Sequence, residues 1–172
     1  MGDAATLPSS LRSRAALNGA RGSRCMDTGF AAMTDWQYQI RINLDDQHAE
    51  IARSNPQDPR LEPLPGILAR RQATLTNQYA AFANYCAEAE KNGVERYPLY
   101  KWTKATIEDP AKKAKYGLSF TIYVNGEEVY GKDIADALET ELQPLVGKGV
   151  LTKLAKHDTN PANNPQPPAH LR

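Results

Sequence analysis

The chain is poor in the side chains that carry most enzymatic chemistry. In 172 residues there are two cysteines, Cys25 and Cys86, and three histidines, His48, His157 and His170. Two thiols cannot staple a secreted disulfide scaffold, and their scarcity fits a reducing, cytoplasmic setting. There is no Cys-x-x-C pair of the kind that redox motifs use. No apolar run approaches the roughly 18 to 20 residues that a membrane-spanning helix needs. Charge of one sign is also lacking: 21 basic and 20 acidic side chains leave a formal net charge of +1. Global electrostatics therefore draw the protein neither to nucleic acid nor to an anionic bilayer, and any such contact must come from a local patch. The stretch "VGKGVLT" lacks the four-residue spacer and Gly-Lys-Ser/Thr ending of a phosphate loop.

What the chain does have is an ordinary globular balance, 41% hydrophobic and 24% charged, at a length that suits one domain. Residues 1–32 are rich in Ala, Gly, Ser and Arg without a periodic apolar face, which predicts a disordered N-terminal extension. A mis-called start, a cloning remnant and a targeting segment are its three explanations; a secretory signal is excluded because no continuous apolar core is present. Residues 159–172, "TNPANNPQPPAHLR", predict a disordered Pro/Asn-rich tail. A single α+β domain is expected over 33–158.

Within that domain Trp36, Tyr38, Ile40, Ile42 and Leu44 alternate with Gln37, Gln39, Arg41 and Asn43, the pattern of a half-buried strand. A short helix over 45–53 and a proline-rich loop follow. Leu68, Leu75, Tyr79, Phe82, Cys86 and Ala89 recur at helical spacing, which predicts one long helix over 66–90, stopped by "KNG". Phe120, Ile122 and Val124 then alternate up to Asn125-Gly126, the signature of a type I′ hairpin with Val124 facing Glu127 and Ile122 facing Val129. Asp133 is expected to cap a further helix, and Val150, Leu151 and Leu154 to form a last short one. The expected fold is α+β: a small three-stranded antiparallel sheet, the N-terminal strand plus the hairpin, packed against the long helix and shorter helices.

Two constellations offer chemistry. Asp45, Asp46, His48 and Glu50 bring together oxygen and imidazole donors that suit a divalent cation and metal-dependent hydrolysis. On a helix, however, His48 points away from Asp46 and Glu50, and an aspartate that caps a helix accounts for the same residues. The segment "YPLYKWTKATIEDPAKKAKYG" interleaves Tyr97, Tyr100, Trp102 and Tyr116 with Lys101, Lys104, Lys112, Lys113 and Lys115. Aromatic faces stack on bases and lysines meet phosphates, so this mixture suits single-stranded RNA; core aromatics with snorkelling lysines would read the same way. Cys86 lies on an apolar helix face, where its thiol is expected to be inert.

No catalytic residue and no cofactor is assigned. The expected function is a non-enzymatic module that binds a protein partner or itself, with the first strand as the pairing edge. RNA binding through 97–116 is the alternative, and a metal-dependent hydrolase at 45–50 the second alternative.

Overall fold

Strand pairing organises the molecule, seen here in a computed structural model that describes residues 36–164 and 167–171. The extension expected over 1–32 lies outside the described residues. Four strands, β1 (Tyr38–Leu44), β2 (Ala73–Asn77), β3 (Ser119–Val124) and β4 (Leu151–Asp158), form one sheet in the order β2-β3-β1-β4, and every neighbouring pair is antiparallel. It follows that β1 and β2 run parallel with β3 between them, and β3 and β4 run parallel with β1 between them. These are two interleaved split β-α-β units. The first is crossed by α1 (Asp46–Ser54) and α2 (Leu64–Arg70), the second by α6 (Lys132–Leu142).

The α+β class is as expected, but the sheet has four strands rather than three. The predicted helix over 66–90 is two helices separated by β2. Gln72 adopts a left-handed φ of 52° after α2, the β-branched Thr74 and Thr76 favour extended backbone, and Asn77 caps α3 (Gln78–Asn92). Leu68 and Leu75 therefore join one core, whereas Phe82 sits in another. The last predicted helix is instead β4: its Leu151 and Leu154 pair with Leu44 and Ile42. The turn at Asn125-Gly126 forms as expected, with φ of 51° and 81°, and Val124 and Glu127 exchange both backbone hydrogen bonds. Beyond it the expected second strand of the hairpin does not form: residues 127–130 make only isolated bridges, and Ile122 lies opposite Ile40, not Val129. Tyr130 pairs with Tyr38 instead. The Tyr130 hydroxyl enters the ladder there, accepting from the Ile40 N–H at 3.0 Å and donating to the Ile122 carbonyl at 3.2 Å. Helix α6 starts two residues early, with Gly131 rather than Asp133 at its N-cap and Asp133 in the first turn.

Ile40, Ile42, Phe120 and Ile122 face α1, α2 and α6 and build the main core with Leu64, Leu68, Leu138 and Leu142. The opposite face of β1 is not solvent, as the alternating pattern implied: Gln39 and Arg41 are buried. Between β2 and β3, which are hydrogen-bonded neighbours, the chain inserts α3, α4 (Tyr100–Glu108) and α5 (Pro110–Gly117) around a second core of Phe82, Trp102 and Tyr116. In the C-terminal segment Pro167 is buried, and Leu171 packs against the second core.

Asn77 closes the insertion. Its Oδ1 accepts from the Ala80 N–H at 3.1 Å to cap α3, and its Nδ2 donates to the carbonyls of Gly117 at 2.9 Å and Ser119 at 3.3 Å. One buried side chain thus ties the exit of the insertion to its return. Asn77→Ala removes a cap worth about 1 kcal/mol and takes a donor from the Ser119 carbonyl, while the Gly117 carbonyl keeps its bond from Arg53 Nη1 at 2.7 Å, for a total loss of about 2 to 3 kcal/mol. Asn77→Ser, which can cap but is too short to reach those carbonyls, is expected to recover about 1 kcal/mol of that loss in urea unfolding.

Candidate functional site

Asp45 is a helix cap. Its Oδ1 accepts from the His48 backbone N–H at 2.9 Å while Oδ2 lies 2.6 Å from His48 Nδ1, and these contacts hold the carboxyl below its usual pKa. Asp46 and Glu50 stand exposed on α1. Among the described residues no three His, Cys, Asp or Glu side chains come together as a metal site, so Asp45, Asp46, His48 and Glu50 do not converge.

The Lys/aromatic segment becomes α4 and α5 and divides by depth. Trp102 and Tyr116 are 7% and 6% exposed, and both meet Phe82 edge to face at centroid distances of 5.9 and 5.1 Å. Neither face is open to a base. Tyr97 donates to Glu88 at 3.1 Å, Tyr100 donates to Glu90 at 2.9 Å, and Lys104 reaches the same Glu90 oxygen at 2.8 Å. Lys101, Lys112, Lys113 and Lys115 are exposed. Lys113 and Lys115 lie over the rings of Tyr79 and Tyr116, each 5.6 Å from the centroid. The segment therefore presents lysines outward and buries its largest aromatic surfaces. Cys86 is buried on α3, and burial pushes its thiol pKa up, away from the reactive thiolate.

A third group was not singled out by the sequence: the polar face of the sheet. Pairing in the ladder sets Gln39 opposite His157, and Arg41 opposite Thr121 on one side and Ala155 on the other. Arg41 is 8% exposed. Its Nε donates to Gln39 Oε1 at 2.6 Å, and Gln39 Nε2 donates to Glu128 Oε1 at 2.8 Å. Burial lowers the guanidinium pKa, against the upward pull of Glu128, Tyr116 and Tyr123 nearby. The same burial, with Arg41 and Lys153 close by, pushes His157 down to about 4, so its ring is neutral at physiological pH. The signal for this face was present as Gln39 and Arg41 at alternate positions of β1, but only a strand order that makes β1 interior reveals that they are enclosed.

Comparison with known protein families, with curated proteins and with solved structures gives no significant match to this chain.

Trp102→Ala is expected to cost about 3 to 5 kcal/mol of stability in urea unfolding, at low and high salt alike, because it empties the second core. A surface stacking platform would lose little. For His157, whose folded pKa lies below the unfolded value, the unfolded chain binds the extra proton between about pH 6.5 and 4. Stability is full above that window and falls as pH drops through it. His157→Gln is expected to flatten this part of a plot of Tm against pH.

Proposed function

We propose that this protein is an association module whose partner is a second copy of the chain, joined by strand addition. The first strand was the expected edge, but β1 is interior; among the described residues the edges are β2 and β4. The observation that carries the reading is β4, an eight-residue strand whose one strand neighbour among the described residues is β1, with only Leu151 at its start also bridged, to Val146. The Thr159 N–H donates to the Gln37 carbonyl, which fixes the alternation of the adjoining ladder. Backbone groups of Lys153, Ala155 and His157 turn inward to β1, and those of Leu154 and Lys156 turn outward.

An antiparallel pairing of two β4 strands about Ala155 sets Leu154 opposite Lys156 and Lys153 opposite the neutral His157. No like charges face each other, which favours that register. Lysines on an edge also discourage indiscriminate pairing, so the strand is suited to one defined partner.

Light scattering over a micromolar to submillimolar range tests this. A dimer is expected, and Lys156→Pro, which deletes one outward N–H, is expected to give a monomer. Lys156 also pairs with Asp136 at 2.8 Å and with Glu139. Lys156→Ala removes those ion pairs alone and should leave the dimer intact. A monomer at every concentration, or a dimer unaffected by the proline, refutes the proposal.

A further inference from the structure

We infer that the polar face of the sheet, centred on Arg41 and Thr121, binds a small carboxylate. The inference is independent of self-association.

Two polar groups on this face are more than nine-tenths buried and incompletely satisfied. Arg41 has five N–H donors in a rigid fork, and among the described residues only Nε has an acceptor, the neutral Gln39 oxygen. The terminal nitrogens have none, and Arg41 forms no ion pair within that set of residues. Directly across the strand pair, the Thr121 hydroxyl is buried at 6% exposure and likewise has no hydrogen-bond partner among the described residues. A guanidinium taken out of water with no carboxylate in direct contact is costly even with Glu128 nearby, and an apolar side chain of similar length would fill the space at less cost. The fold holds the charge nonetheless, and it aligns it: Glu128 orients the Gln39 amide, whose oxygen occupies Nε and leaves the Nη1/Nη2 end as the free edge of the fork.

That edge matches the two oxygens of a carboxylate, received end-on through parallel N–H···O bonds. The surroundings favour a single negative charge. His157 is neutral and supplies no second cation, and Glu128 lies near enough to act on Arg41 and opposes a dianion. Thr121 offers a hydroxyl beside the bound oxygens. No bond is made or broken, so the site is one of binding.

The test is thermal unfolding of the full chain in sodium acetate, against sodium chloride and inorganic phosphate at equal ionic strength. At about ten times its Kd, acetate is expected to raise Tm by about 3 °C. Arg41→Met is expected to abolish that rise and to unfold, without acetate, no lower than the parent chain. Thr121→Val, which keeps both charge and volume, is expected to shift the acetate response to severalfold higher concentration. The inference is overturned if acetate gives no rise, if Arg41→Met or Thr121→Val leaves the response unchanged, or if phosphate stabilises where acetate does not. An Arg41→Met chain that fails to fold while acetate leaves the parent unmoved makes the arginine structural, and overturns it equally.

Discussion

Strand β1 runs between β3 and β4, and an interior strand whose two faces differ in polarity needs two different coverings. Its apolar face meets α1, α2 and α6, where burial of Ile40 and Ile42 provides the non-directional hydrophobic gain that dominates folding. Its other face carries Gln39 and Arg41, and polar groups can be enclosed only if their hydrogen bonds are supplied from within. The chain Glu128–Gln39–Arg41 supplies some of them. Much of the architecture, including the insertion between β2 and β3 with its own aromatic core, follows from covering a sheet on both sides.

Side chains at junctions replace backbone pairing where the topology interrupts it. Tyr130 does so between β1 and β3, where its hydroxyl both accepts and donates in place of a direct ladder bond, and burial pushes its pKa up to about 12. Asn77 performs the equivalent task where the insertion leaves β2. Neither residue is conspicuous in composition or periodicity, because each acts through a partner that is distant in sequence. Each satisfies a donor and an acceptor at once, which a shorter or apolar side chain cannot.

Local signals were legible where one element decided the outcome. The strand up to Leu44, the aspartate cap at Asp45, the Asn125-Gly126 turn and the stop at Gly93 all rest on neighbouring residues, and each forms where expected. The interval from Gly66 to Glu90 misled because Leu68, Leu75, Tyr79 and Phe82 satisfy a helical period by coincidence, while Thr74, Thr76 and Asn77 carry the opposing β and cap preferences. Strand β4 was hidden because Val150, Leu151 and Leu154 fit either period, and only pairing with β1 decides between them. Arg41 was misplaced for a related reason: alternation says which residues share a face but not whether that face meets water.

The insertion begins and ends on residues that are already paired, Asn77 opposite Phe120. Its helices can therefore loosen without breaking any strand ladder, since sheet pairing and the Asn77 side chain hold the two ends together. Its second core of Phe82, Trp102 and Tyr116 is separate from the main one. This makes α3–α5 a natural unit of sub-global opening, with amides that exchange at lower free energy than those of β1 and β3.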